Sequence, residues 1–186
     1  ATNDIKEVIA FVEQYDKGII IKPSKGSQGS LGVSLLYNIN SISEYFHIAQ
    51  QKSLDGKVIL EPYITGQEYS IDGIVVEDKP IIISISKKIN LGAENSFIMK
   101  RFEVVDDKDM EIILPSKGEC INDIVSKVIF SLGINNSFFS LDIILNKDSI
   151  MVIECGVLLD CKIDRLLWYA GIDIYTDYIK IATGSY

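Results

Sequence analysis

The chain reads as an α+β fold with mostly antiparallel sheets. Apolar residues recur at helical spacing in the first segment, and strand-like runs come in pairs joined by turn residues. The blocks follow one another as helix, strands, helix, strands, helix, strands, helices, which is the order of an α+β chain rather than of a parallel α/β sheet.

In the first segment Ile5, Val8, Ile9 and Val12 predict an amphipathic helix, with Gly18 as its stop. A short strand of three isoleucines follows over 18–22. GVSLLYN, 32–38, is a second strand, so KPSKGSQGSLGV, 22–33, is the tip of a hairpin. This tip is not a Walker A loop, which needs GK[ST] and leads into a helix. Ser41 and Glu44 have the spacing of a capping box, opening a helix to about Ser53 with Ile42, Tyr45, Phe46 and Ala49 inward. From Lys57 the runs VILEPYITGQEYSIDGIVVEDKPIIISISKK, broken at Thr65-Gly66 and Glu77-Asp78, predict an antiparallel meander. Residues 89–107 read as irregular and polar. A helix is expected over 116–132, ended by Gly133, then the hairpin FFSLDIILNKDSIMVIECG and two short helices.

Length and composition bound the function. A chain of 186 residues can bury one substantial core or two small lobes. With 47% apolar and 24% charged residues it is a folded globular chain. A net charge of −8 without a basic stripe excludes the electrostatic footprint of nucleic acid. No run approaches a membrane span, so no membrane partner is expected. Cys120, Cys155 and Cys161 form no C-x-x-C pair and His47 is the single histidine, which excludes an ordinary zinc site and favours reduced thiols in the cytoplasm.

Several residues stand out chemically. Gly26, Gly29 and Gly32 let the loop of Ser24 to Gly32 fold its N–H groups over an anion, and Lys22 at its entrance could meet a phosphate as a point charge. Glu61 and Glu68 flank the turn in LEPYITGQEYSID. Asp142 and Glu154 interrupt otherwise apolar strands, at a cost unless a cation pairs them. A three-residue turn, 147–149, places these two carboxylates opposite each other on one face; a two-residue turn places them on opposite faces. The three-residue turn is the expectation, and the facing pair then suits Mg²⁺ carried with nucleotide phosphates.

The joint order is more specific than any part: K-P, a Gly/Ser loop ending G-V, then L-E-P-Y-I-T-G-Q-E-Y-S-I-D, an acidic strand, V-I-E, A-G-I-D-I-Y and A-T-G. From Asp4 to Gly184 this resembles the ATP-grasp superfamily, nearest the carbamoyl-phosphate-synthetase-like carboxylate-amine ligases. The resemblance implies one module over 1–186 with two α+β lobes, about 18–62 and about 63–186, clamping ATP. Lys22, Ser27, Gly29 and Ser30 would meet the phosphates, Glu61 with the Tyr63 and Ile64 backbone the adenine edge, and Glu68 the ribose. Asp142 and Glu154 would hold Mg²⁺. A further triphosphate-binding side chain falls on Lys87 or Lys88, with Lys87 taken as the candidate. The implied chemistry is phosphorylation of a small carboxylate by ATP, followed by attack of an amine on the acyl phosphate.

The chain departs from that pattern after Glu154. Where relatives have E-x-N-P-R it reads E-C-G-V-L, so Gly156 replaces a metal-binding asparagine and Leu158 an arginine. An arginine on the transferring phosphoryl group is worth on the order of 10³ to 10⁵ in rate. Arg101, Lys162 and Arg165 are the candidate substitutes. The usual N-terminal domain is also expected to be missing, leaving that surface to a segment outside these residues or to a partner subunit. The alternative function is a degenerate domain that binds nucleotide or a partner without catalysis.

Overall fold

A computed structural model describes residues 1–26, 29–90, 97, 99–105, 120–146 and 149–185. The chain divides into two compact units, Ala1–Ile64 with Ile89–Arg101, and Thr65–Lys88 with Phe102–Tyr186.

In the first unit α1, Ile5–Val12, starts where the Asp4 carboxylate accepts the Lys6 N–H at 2.8 Å, and buries Val8 and Val12. It ends at Val12, five residues before the expected stop is reached. Gly18 instead serves the strand entry: its φ is +89°, and a Cβ there would lie 2.7 Å from the Leu36 carbonyl oxygen. Strands β1, Ile19–Pro23, β2, Ser34–Leu36, and β3, Val58–Pro62, form an antiparallel sheet of order β2-β1-β3. The glycine loop is thus a hairpin tip, as expected. The meander expected from Lys57 is broken, because β3 pairs with β1 and not with the next strand.

Helix α2, Ile42–Lys52, buries Ile42, Phe46 and Ala49 against Val8, Ile19, Ile21 and Val58. The expected capping box does not form: Ser41 makes no side-chain cap bond and closes a 3-10 turn, Ile39–Ser41. Asn38 caps that turn, accepting the Asn40 N–H at 3.1 Å.

The second unit is built on a sheet of order β6-β5-β4-β7-β8, with β4, Gln67–Val76, β5, Lys79–Asn90, β6, Met99–Val104, β7, Ser137–Leu145, and β8, Ile150–Gly156. Residues 89–107 are therefore not irregular throughout, since they include the end of β5 and all of β6. Helix α3, Ile121–Leu132, follows an extended Cys120; it starts later than expected, and 116–119 lie outside the described residues. Its Ile121, Ile124, Val125 and Ile129 cover one sheet face with Tyr69, Ile71, Leu141 and Ile143. Helices α4, Cys161–Tyr169, and α5, Ile174–Thr183, bury Ile163, Leu167, Ile174 and Ile181 with Ile74 and Phe138. Because strand side chains alternate, Ile74 shares its face with Asp72, Ser70 and Glu68. That face is apolar under the two helices and polar farther along β4.

Candidate functional site

In the first unit the glycine loop is held in left-handed backbone. Gly26, Gly29, Ser30 and Gly32 have φ of 80°, 60°, 62° and 80°, a conformation in which successive N–H groups can line a concavity for an anion. A Cβ on Gly29 would meet nothing within 4 Å, so conformation and not crowding calls for glycine there. Ser27 lies outside the described residues. The loop base is pinned by Asp55, which accepts from the Ser24 hydroxyl at 2.5 Å, the Ser53 hydroxyl at 2.8 Å and the Lys57 N–H at 3.0 Å. These bonds, the Ser24 hydroxyl first, lower the Asp55 pKa from 3.8 to about 2.

Lys22 extends from β1 beside this loop. Its ammonium lies 2.7 Å from Glu61 Oε1, with the side chains 21% and 41% exposed. The pair follows from register: Lys22 stands opposite Ile59, and Glu61 opposite Ile20, on one face of the sheet. The Tyr63 N–H donates to the Gly18 carbonyl at 3.0 Å, so that amide is committed to closing the unit. Ile64 follows it, half-buried.

In the second unit a polar patch is written across four strands. Asp72, Ser70 and Glu68 alternate along β4; Ser84 and Ser86 stand opposite Asp72 and Ser70 on β5; Ser140 and Asp142 stand opposite the same two on β7. Asp142 in turn faces Glu154 on β8. Lys88 closes the group, 2.5 Å from Asp142 Oδ2 and 3.8 Å from Glu68 Oε2. Burial disfavours its ammonium, but Asp142 by charge and hydrogen bond, then Glu68 and Glu154, outweigh this and raise its pKa. Burial pushes the Glu68 carboxyl up, against the opposing pull of Lys88.

Asp142 and Glu154 face each other by a different device from the expected one. Leu145 stands opposite Ile150, one residue off the register of a three-residue turn, and the shift is corrected by a bulge between Asp142 and Ile143. The Asn146 N–H donates to the Ser149 carbonyl at 3.1 Å; 147 and 148 lie outside the described residues. Without the bulge the two carboxylates would fall on opposite faces.

The structure separates the two candidate lysines. Lys87 stands opposite Tyr69, on the face covered by α3, while Lys88 carries the ion pairs. The cue was present in E-Y-S-I-D and S-I-S-K-K, whose alternate positions are polar. A second cluster forms around Lys162, whose partners the sequence did not indicate. The Lys162 ammonium meets Asp160 Oδ2 at 2.9 Å, Ser70 Oγ at 3.0 Å and Asp72 at 3.1 Å, and sits 4.3 Å from the centre of the Phe102 ring. An ammonium has three N–H donors, so Lys162 has none left for the arginine's task. Asp72 is buried, which raises its pKa against the opposing charge of Lys162. Arg165 is exposed on α4, and Leu158 is 80% exposed.

Among the described residues no group of three or more metal-ligating side chains is assembled. The donors that fit Mg²⁺ are the hard oxygens of Asp142 and Glu154, two protein ligands to which phosphate and water would add the rest. Among the described residues no helix is long and apolar enough to cross a membrane.

Comparison with solved structures finds the same fold in several enzymes. The biotin carboxylase domain of Hydrogenobacter thermophilus 2-oxoglutarate carboxylase, solved with MgADP, ADP and bicarbonate, is 17% identical with a TM-score of 0.70, covering 97% of this chain and 40% of that one. An L-amino acid ligase from Bacillus licheniformis is 18% identical with a TM-score of 0.61, covering 82% and 34%. D-alanyl-alanine synthetase A from Vibrio cholerae is 14% identical with a TM-score of 0.65, covering 99% and 57%. The chain therefore spans less than two-thirds of each of these structures. No match is found among curated proteins. Residues 15–159, from the strand that enters the glycine loop to the end of the acidic hairpin and beyond, match the ATP-grasp domain, and the chain belongs to that family.

Proposed function

We propose that this chain is the ATP-binding domain of an ATP-dependent carboxylate-amine ligase, its two units being the lobes of one module. The observation that carries the reading is the meeting of Lys88, Asp142 and Glu154 on the polar face of the second unit. Such a face offers a cation to phosphate and two carboxylates to Mg²⁺, as nucleotide sites require.

In this reading the loop with Ser27, Gly29 and Ser30 covers the triphosphate, and Lys22 and Lys88 bind its oxygens, Lys88 replacing Lys87 in that role. Glu61 with the Tyr63 and Ile64 backbone meets the adenine edge, the Tyr63 amide itself being bonded to the Gly18 carbonyl, and Glu68 accepts from the ribose hydroxyls. Asp142 and Glu154 hold Mg²⁺, which neutralises charge on the transferring phosphoryl group. The γ-phosphoryl passes to a substrate carboxylate, leaving ADP and an acyl phosphate; an amine then attacks the carbonyl carbon and phosphate departs. The carboxylate and amine pockets are completed by a further domain or subunit, and use of ATP with free thiols fits a cytoplasmic setting.

Gly156 and Leu158, standing where relatives have the asparagine and the arginine, favour a second reading, nucleotide binding without turnover, and the candidate substitute Lys162 is committed to Asp72, Asp160 and Ser70. Titration calorimetry of the intact protein with ATP, with and without Mg²⁺, tests the site: binding should need Mg²⁺ and be lost in Glu154→Ala. Absence of binding in the intact wild type would sink both readings. Phosphate release that depends on a carboxylate and an amine separates the ligase from the binding-only domain.

A further inference from the structure

The Lys88 ammonium is placed on the oxygen that a metal ligand must present. It lies 2.5 Å from Asp142 Oδ2, at side-chain exposures of 18% and 13%, with Glu68 as its second partner at 3.8 Å. A divalent cation arriving alone meets that ammonium. A phosphate arriving alone meets Asp142 and Glu154, which face each other across β7 and β8. The phosphate is repelled by three carboxylates, Glu68, Asp142 and Glu154, set against one ammonium, and the cation reaches Asp142 Oδ2 only by displacing that ammonium from its ion pair.

We propose that the Lys88–Asp142 pair is a counter-ion lock, which admits magnesium and nucleotide only as a unit. On entry the partners exchange: Lys88 leaves Asp142 for a phosphate oxygen, and Asp142 turns from the ammonium to Mg²⁺. Neither Lys88 nor Asp142 is left without a counter-charge at either end of the exchange. Glu68 keeps Lys88 ionised and near the sheet while its partner changes, a role the more distant contact suits. The Lys22–Glu61 pair of the first unit is not an equivalent lock, because Glu61 is 41% exposed and water can replace its partner at little cost.

This inference rests on the reading of the polar face as a nucleotide and metal site, and the test separates the two. Binding of ADP in excess chelator and of MgADP is measured by calorimetry on the intact protein. Asp142→Asn frees Lys88, so metal-free ADP should bind about tenfold tighter or better than to wild type, while the gain from added Mg²⁺ disappears. Glu154→Gln removes the same charge without freeing Lys88 and should give a much smaller gain. In Lys88→Met the effect of Asp142→Asn should vanish, since the gain belongs to the pair. Lys88→Met should also bind Mn²⁺ without nucleotide, seen as loss of the free-ion electron paramagnetic resonance signal, where wild type does not. If Asp142→Asn does not fold, this manganese result decides alone. The lock is overturned if MgADP binds wild type yet Asp142→Asn shows no gain, if the gain survives in Lys88→Met, or if Lys88→Met takes up no manganese. Failure of wild type to bind MgADP removes the underlying reading as well.

Discussion

Lys22 and Lys88 each meet a carboxylate, but the two units hold them differently. Lys22 and Glu61 lie 2.7 Å apart at 21% and 41% exposure, beside a loop shaped by left-handed backbone. Lys88 lies on a sheet, tied to Asp142 at 18% and 13% exposure, with Glu68 behind it and the Lys88 carbonyl accepting from Gln67 Nε2 at 2.8 Å. Water screens the first pair and leaves its lysine free to change partner. The second is partly desolvated, so its charges depend on one another and removal of one leaves the others exposed to the low-dielectric strand face.

The largest expected effect of breaking this contrast is on stability in the second unit. Lys88→Ala leaves Asp142 and Glu68 without their shared cation. Loss of one member of a fully buried pair costs about 3–5 kcal/mol; allowing for residual water, roughly 2 kcal/mol should be lost in chemical denaturation. A loss indistinguishable from that of Lys22→Ala would erase the distinction between the units. Lys22→Ala itself should change stability by no more than about 1 kcal/mol. Its MgADP affinity should nevertheless fall about tenfold, because one charged hydrogen bond to phosphate is lost.

Smaller effects appear in the pH dependence, with opposite signs. Asp55 titrates at about 2 in the folded chain against an ordinary 3.8. The folded state therefore releases its proton more readily, and the stability this contributes is present above pH 3.8 and lost as pH falls towards 2. Asp55→Asn should flatten that acid limb of a stability profile. Glu68 has its pKa raised above 4.5 by burial. Here the folded state holds a proton that the unfolded chain has released, so stability declines as pH rises from 4.5 through the folded pKa. Glu68→Gln should remove this decline; a profile unchanged by the substitution would mean that the carboxyl is as well solvated as Glu61.

Much of this arrangement was legible in residues close together in sequence. The glycine hairpin and the α+β order follow from local patterns, whereas the facing of Asp142 with Glu154 depends on a bulge that the turn spacing does not announce. The alternation that singles out Lys88 over Lys87 was also present, in Glu68-Ser70-Asp72 and Ser84-Ser86-Lys88, but it gains meaning only when β4 and β5 are known to pair. The capture of Lys162 by Ser70 and Asp72, some ninety residues away in sequence, had no local sign.

By itself the sequence determined the periodicities, the flexible loop and the types of chemical group available, because these depend on neighbours one to four residues apart. Tertiary structure decided which of those groups meet. It moved β3 from the expected meander to β1, corrected the acidic hairpin with a bulge, spent the Tyr63 amide on Gly18 and set Lys88 against Asp142. Each is a choice of partner across a sheet, where a one-residue slip reverses every side chain and only the packed faces select the register.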